Sequence, residues 1–233
     1  MGLGLALGLV STACRLNQRP SLKVVDPTLV AQGTALERER IRGGFSLGPY
    51  RVTQVGMRSE APDLDGPLAQ EEVARPVTQD RAGLVLEGAE GRTWTTTCRL
   101  QRRAPPAADY RAVLDENGDE IAVGCTAKTA GRPPWRFDAR ALLSGNFVGQ
   151  LGPEGGSTET VEVLTRVLRF RGKIERVLPV PVAQLRRGDD AVVSVLLGRP
   201  ERAWVDPSLD PVKLEAALAL LLTLRFLPWE LAQ

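Results

Sequence analysis

Histidine is absent from the 233-residue chain, and several other residue types are scarce. The absence removes the commonest general base, the usual zinc ligand and every Ser-His-Asp or Cys-His catalytic arrangement. Tyrosine and methionine occur twice each, cysteine three times, and lysine only at four positions. The net charge is +2, which argues against a nucleic-acid surface. We expect no catalytic residue set, no metal and no cofactor.

Charge is also missing from the first thirteen residues, MGLGLALGLVSTA. A transmembrane helix needs about 20 residues, so this run is too short to span a bilayer, but it suits the apolar region of a secretory signal. The small residues before Cys14 resemble a bacterial lipobox, in which the cysteine thiol accepts lipid, although Ser11 stands where Leu is usual. No Lys or Arg precedes the run.

The N-terminal pattern predicts a signal peptide over 1–13, lipid on Cys14 and a polar tether over 14–21. The protein would then be a membrane-anchored lipoprotein of the bacterial cell envelope, at the outer membrane or the periplasmic face. Two alternatives stay open. The N-terminus could be disordered or packed in the core with an incidental cysteine, or a plain signal peptide could be cut elsewhere.

The two remaining cysteines, Cys98 and Cys125, are predicted to form a disulfide, because thiols left over in an oxidising envelope tend to pair. An intervening strand would separate them by about 10 Å, too far for a bridge. The disulfide therefore requires the strand that ends at Cys98 to lie next to the strand that carries Cys125, by direct pairing or across a barrel corner.

Most of the chain shows the period of two that is typical of strands. A type I′ turn is predicted at Asn117-Gly118, between Tyr110–Leu114 and Ile121–Cys125. Residues 58–81 are predicted to be an irregular, solvated insertion with six acidic residues. The predicted strand runs are Arg51–Met57, Gly83–Glu87, Arg92–Cys98, Glu120–Ala127, Thr160–Phe170 and Ala191–Leu197.

The last part of the chain predicts a helix, with Asp210 as its N-cap and Pro211 in the first position. From Leu214 to Leu227 nearly every residue is apolar, so the helix must be buried on all sides. Strands wrapped around a helix satisfy this requirement. We predict a mainly β fold: a closed antiparallel β-barrel of about 10–12 strands over 22–233, with a buried C-terminal helix over 211–227.

The segment Ala191–Gly198, followed by Arg202–Val205, Asp206-Pro207 and the apolar helix, resembles the end of the tubby-like and scramblase-like barrels. That resemblance implies a closed barrel of about a dozen strands threaded by a hydrophobic C-terminal helix. The chain as a whole also resembles uncharacterised lipoproteins of myxobacterial type, through FSLGPYRVTQV at Phe45–Val55, the paired cysteines and the Leu/Ala-rich helix. Phospholipid binding is implied by this fold alone, since no matching headgroup-binding lysine and arginine pair is found.

Motifs for chemistry are few. Asp115, Asn117 and Asp119 have the spacing of a calcium loop, but Glu120 and Thr126 occupy positions that need Gly and Glu. Residues 152–156 are glycine-rich without the lysine of a phosphate-binding loop and predict a turn. Acidic pairs at Glu71-Glu72 and Asp189-Asp190 could serve a glycosidase, and Arg102-Arg103 and Arg186-Arg187 could face anionic headgroups. Plain solvated surface is the simpler explanation of all four pairs.

Two functional hypotheses follow. The first is a non-enzymatic, monomeric envelope protein with a structural or ligand-binding or lipid-binding role, attached to the membrane through Cys14, with its protein or phospholipid partner unidentified. The second is a carboxylate-dependent hydrolase acting on glycans, which would need two carboxylates about 5 to 9 Å apart in an open cleft. A cleft lined by acidic side chains would favour the second hypothesis.

Overall fold

The structure is a computed structural model that describes residues 24–60, 77–103, 121–141, 146–168, 174–199 and 202–227. These residues form twelve β-strands and two α-helices. In chain order the elements are α1 (Pro27–Gln32), β1 (Thr34–Ile41), β2 (Gly44–Leu47), β3 (Tyr50–Glu60), β4 (Val77–Glu87), β5 (Thr93–Arg103), β6 (Ile121–Lys128), β7 (Trp135–Ala141), β8 (Phe147–Pro153), β9 (Glu159–Leu168), β10 (Ile174–Arg187), β11 (Asp190–Leu196), β12 (Arg202–Val205) and α2 (Pro211–Leu224).

The strands form a closed up-and-down barrel in which each strand pairs antiparallel with its neighbours in the chain. The first and last strands complete the ring, with Leu36 on β1 opposite Ala203 on β12. Full closure leaves no unpaired strand edge. The predicted closed antiparallel barrel is confirmed, and its twelve strands lie within the predicted number.

All six predicted strand runs coincide with strands of the barrel, namely β3, β4, β5, β6, β9 and β11. The sequence pattern did not predict β1, β2, β7, β8 or β10, and β12 entered only through the resemblance, as Arg202–Val205. On β1 only Leu36 of eight residues is buried, so an apolar alternation is missing. On β10 the register shifts between Val177 and Val182, around two prolines, which interrupts the period of two.

The predicted irregular insertion over 58–81 is wrong at both of its ends. Strand β3 continues to Glu60 and β4 begins at Val77, with Ser59 paired opposite Asp80. Backbone pairing needs no apolar side chains, so a polar strand end carries no periodic signal. The middle of this stretch lies outside the described residues, as do the predicted Asn117-Gly118 turn and the Tyr110–Leu114 strand.

Helix α2 runs through the inside of the barrel. The Asp210 carboxylate accepts a hydrogen bond from the Lys213 backbone N–H at 3.0 Å, and Pro211 is the first helical residue, both as predicted. Eleven consecutive residues, Leu214 to Leu224, are buried. The regular helix ends at Leu224 rather than at the predicted residue 227, because the next three N–H groups bond to carbonyls only three residues back. The tightened bonding is typical of a helix end.

A short N-terminal segment packs on the outside of the same barrel. Asp26 caps α1 by accepting from Thr28 at 2.8 Å, and Val25 and Leu29 are buried against the outer wall. The wall residues in this cluster are apolar and lie on the last three strands: Leu178, Val182, Ala191, Leu196 and Trp204. The barrel therefore has one core inside and a second, smaller one outside.

In an up-and-down barrel, successive connections between strands lie at opposite ends of the barrel. The end at which α2 begins is termed the top; it carries the turns that lead into β5, β7, β9 and β11. The other end, which carries the β1–β2 turn and at which β9 and β11 end, is termed the bottom.

Candidate functional site

Cys98 and Cys125 lie directly opposite each other on β5 and β6. Their sulfur atoms are 1.99 Å apart and their Cα atoms 4.0 Å apart, so the predicted pair is at disulfide distance. Direct pairing of the two strands is the order that the disulfide required. Both side chains belong to the inner core, so the bridge is shielded from solvent. Cys14 lies outside the described residues.

The interior of the barrel is packed with α2 and the inward side chains of the wall. The helix contacts β4, β5, β6, β10 and β11. The largest fully buried side chains around it include Trp94, Phe137 and Phe147. Thr96 and Thr223 share a hydrogen bond, and Thr223 also donates to the Ala219 carbonyl at 2.7 Å, so these buried hydroxyls are satisfied. The interior is a core rather than a binding chamber.

A buried carboxylate lies near the top of this core. Glu215 is 2% exposed, and its Oε2 atom accepts hydrogen bonds from Arg92 Nη1 and from Trp94 Nε1, the latter at 3.0 Å. A Cβ atom on Gly88 would collide with the carboxylate, so glycine is required at the turn after β4. The hydrogen bond from Arg92 holds two elements, α2 and the start of β5, in one relative position.

Two neighbouring groups respond electrostatically to Glu215. The pKa of Arg92 is raised, chiefly by its hydrogen bond to Glu215, with a smaller contribution from Glu90. The pKa of Tyr50 is raised by burial and then by the Glu215 charge. Sequence reasoning missed this cluster. The one signal was that Glu215 is the sole acidic residue in a helix that is nearly all apolar from Leu214 onward. A charged residue in such a helix needs a partner.

The second place that gathers polar side chains is a groove of about 210 Å³ on the outer surface, near the top. It lies between α1, the start of β11 and the loop from β12 to α2. Three aspartates line it, together with apolar and small polar residues: Asp26, Asp190, Asp206, Thr28, Leu29, Gln32, Gly33, Ala191, Val192 and Pro207. It is therefore the kind of acidic cleft on which the hydrolase hypothesis depends.

Two of these carboxylates are already used by the backbone. Burial by itself raises the pKa of Asp26, but hydrogen bonds from Thr28, Ala191 and Leu29 and the charge of Arg186 outweigh it, so the pKa is lowered. For Asp206 the hydrogen bonds from Ser208 lower the pKa, with the backbone N–H at 2.8 Å. Both groups hold turns in place as carboxylates.

A general acid in a glycosidase needs the opposite shift, since it must carry a proton near neutral pH. The pKa of Asp138 is raised by burial, against the lowering effect of Arg136. Asp138 lies on β7 and is not among the residues that line the groove. Within the part of the chain that the structure describes, no group of three or more Cys, Asp or Glu residues could hold a metal ion.

The remaining sequence-predicted positions are dispersed. Asp189 lies in the turn between β10 and β11, where its carbonyl accepts a hydrogen bond from Arg186, and Asp190 is the first residue of β11. Arg187 pairs with Glu159 at 3.3 Å, so these arginines face carboxylates on the barrel itself. Gly155, with φ of +76°, lies in the turn predicted over 152–156. Arg102-Arg103 ends β5, with side chains outside the description, and Glu71-Glu72 lies outside the described residues.

Compared with models of protein families, with curated proteins and with solved structures, the chain matches none of them. Among the described residues, neither helix has the length and apolar character needed to cross a membrane.

Proposed function

We propose that this chain is a lipid-anchored protein of the bacterial cell envelope with a non-enzymatic role, structural or ligand-binding or lipid-binding. The charge-free run before Cys14 supports the anchor. The Cys98–Cys125 pair is also consistent with export, because disulfides persist in oxidising compartments.

One observation carries the non-enzymatic part of the proposal. The space that other barrels offer to a ligand is occupied by α2, whose residues from Leu214 to Leu224 are all buried. The carboxylate inside, Glu215, already accepts hydrogen bonds from Arg92 and Trp94. A barrel filled in this way serves best as a rigid body held at a membrane.

The second candidate is the carboxylate-dependent hydrolase acting on glycans, and the acidic groove is the observation that favours it. Its weakness is that Asp26 and Asp206 have lowered pKa values and bind backbone N–H groups. Activity on a panel of envelope glycans that disappears in Asp190→Asn, with the fold unchanged, would support the hydrolase and contradict our proposal.

The tubby-like resemblance implies a role in phospholipid binding. Only the fold supports this part of the proposal. A barrel around a central helix is compatible with that resemblance, but a shared architecture does not carry a shared ligand.

The anchor is tested on the full chain expressed in a bacterial host. We expect mass spectrometry of the membrane fraction to find a mature N-terminus at Cys14 with acyl mass. The Cys14→Ser variant should lose the acyl mass and leave the membrane fraction, whereas Cys98→Ala should keep both. A product that begins at another residue, without acyl mass, would contradict the proposal.

A further inference from the structure

Residues 24–33, termed the latch, lie on the outside of a barrel that is closed without them. Of these ten residues only Val25 and Leu29 are buried, and both belong to the outer cluster. That cluster shares no residue with the inner core around α2. Loss of the latch contacts would therefore uncover the outer wall and leave the inner core packed.

Polar contacts between the latch and the wall lie at the start of the latch. Gln184 Nε2 donates to the Val24 carbonyl at 2.9 Å, and the Ala191 N–H donates to the Asp26 carboxylate at 3.5 Å. These bonds and the two buried side chains oppose the loss of conformational entropy that comes with ordering ten residues. A segment with so few buried apolar contacts is the part of a fold that opens before the rest.

The wall beneath the latch carries a polar group that the latch leaves unsatisfied. Ser194 lies directly opposite Gln184 and Trp204 on the neighbouring strands. Opposite residues of paired strands share a face, so the Ser194 side chain belongs to the outer wall. It is 0% exposed, and its hydroxyl oxygen has no hydrogen-bond partner among the described residues. Such a group destabilises the closed arrangement, because water can bond to it once the latch leaves.

The latch also lies between the predicted tether and the barrel. A pull on a lipid anchor at Cys14 reaches Val24 before it reaches β1, and it loads the latch contacts one after another. Strand β1 is paired on both sides, with β12 through residues 34–37 and with β2 through residues 38–41. Since the bonds of these two ladders share the load, the latch gives way at a lower force than the barrel.

Release of the latch doubles the length of free chain between the anchor and the barrel. Ten residues separate Cys14 from Val24, and twenty separate Cys14 from Thr34. An extended chain spans at most about 3.3 to 3.6 Å per residue, so the latch adds up to about 35 Å of reach.

We propose that residues 24–33 are a load-sensitive latch, which opens while the barrel stays folded and lengthens the tether of the anchored protein. This inference rests on the proposed anchor at Cys14. Opening also uncovers the apolar wall around Leu196 and Trp204.

Hydrogen exchange in the full chain tests whether the latch opens separately from the barrel. The N–H groups of Val30 and Gly33 are bonded within the latch and report its opening. We expect them to exchange at least about tenfold faster than the paired amides of β11 and β12. Leu29→Ala should raise their rate several-fold further without changing β11 and β12, whereas Val30→Ala, at an exposed position, should change neither. Rates that rise together in the latch and in the barrel strands would overturn the proposal.

Single-molecule stretching tests the response to load without lipid. In the Cys14→Ser chain, handles are attached at Gln18→Cys, before the latch, and at Asp189→Cys, an exposed position in the β10–β11 turn. We expect an extension of up to about 35 Å at a force below the one that unfolds the barrel. Control handles at Arg42→Cys, exposed in the β1–β2 turn, and at Asp189→Cys bypass the latch and should show no early extension. Unfolding without an early extension, or the same early extension with the control handles, would contradict the latch.

The native cysteines do not interfere with the handles, because Cys98 and Cys125 are paired and buried. Failure of the latch and failure of the anchor give different results. If acyl mass at Cys14 is missing but the early extension is present, the proposed lipidation fails and the latch stands. If acyl mass is present and the early extension is absent, the latch fails alone.

Discussion

The inside and the outside of this barrel are both covered by a helix, but the two contacts differ in how much of the molecule depends on them. Inside, α2 presents apolar side chains in every direction and its polar groups have partners on the wall. Outside, α1 has six residues and buries Leu29 on one face. The inner helix is therefore part of the barrel's core, whereas the outer helix packs on a barrel wall that is complete without it.

Replacing a buried leucine by aspartate should have the largest effect on stability in the inner helix and a much smaller one in the outer helix. Leu221→Asp places an unpaired carboxylate in the inner core, which costs more than the usual net stability of about 5 to 15 kcal/mol. We expect loss of the folded state by circular dichroism. Leu29→Asp should release only the outer segment, with the barrel's spectrum kept and faster proteolysis before residue 34. A folded Leu221→Asp protein would show that α2 is not required inside.

The disulfide is a second difference between the two cores, since it lies in the inner core. Replacing Cys98 and Cys125 together by Ala removes a cross-link over 27 residues, which should lower the free energy of unfolding by about 3 to 4 kcal/mol. Urea denaturation measures the loss. Because both sulfurs are buried, reductant alone should leave the bridge intact until denaturant is added. Two free thiols in the unreduced protein would refute the bridge.

Next in size is the buried ion pair at the top of α2. Glu215→Leu takes the buried partner from Arg92, which keeps its pair with the exposed Glu90, and leaves the Trp94 N–H without the acceptor that it has in Glu215. We expect a loss of about 1 to 3 kcal/mol in the free energy of unfolding. Arg92→Met added to Glu215→Leu should recover part of that loss, because the guanidinium that lost its buried partner is then removed as well. The matched control is Arg136→Met, whose exposed pair with Glu154 should contribute less than about 1 kcal/mol. Equal losses in the free energy of unfolding from the two pairs would mean that burial of Glu215 does not strengthen its ion pair.

The smallest effect is expected at the cap of the outer helix. Asp26→Ala removes an N-cap, which costs about 1 kcal/mol. The folded pKa of Asp26 lies below its ordinary 3.8, so the carboxylate stabilises the fold above that pH and loses this effect as pH falls through the folded value. The difference from wild type in urea denaturation should therefore be constant above about pH 5 and shrink below about pH 4. A difference that grows on acidification would contradict the assignment.

The sequence predicted the features that rest on local chemistry. A cap at Asp210 followed by Pro211 and an apolar run specifies a helix that must be enclosed, and alternating strands are the available enclosure. The partner of Cys98 also followed from counting thiols. The helix signal lies in residues that are neighbours in the chain, whereas the disulfide, across 27 residues, needed only a count of the cysteines.

Features that depend on distant residues were missed. The partners of Glu215 are more than a hundred positions away, at Arg92 and Trp94, and no local pattern pairs them. Strand β1 exists because β12 and β2 offer it backbone partners, although its own side chains are mostly polar. Helix α1 is too short for a periodic signal, although Asp26 followed by Pro27 is the same start pattern as Asp210 and Pro211.

The pairing of β1 with β12 sets the order in which the fold can be completed. These strands are joined in the ring although some 160 residues of chain separate them, so the last strand must be available before the first can be fully bonded. Helix α2 follows β12 and has to lie within the ring as it shuts. We therefore expect closure and filling to occur together and late in folding, because both depend on non-local contacts, which are typical of slow folders. Before the barrel closes, the apolar surface of α2 is open to contact with other chains. Whether the chain aggregates then depends on how fast the barrel closes as well as on its final structure.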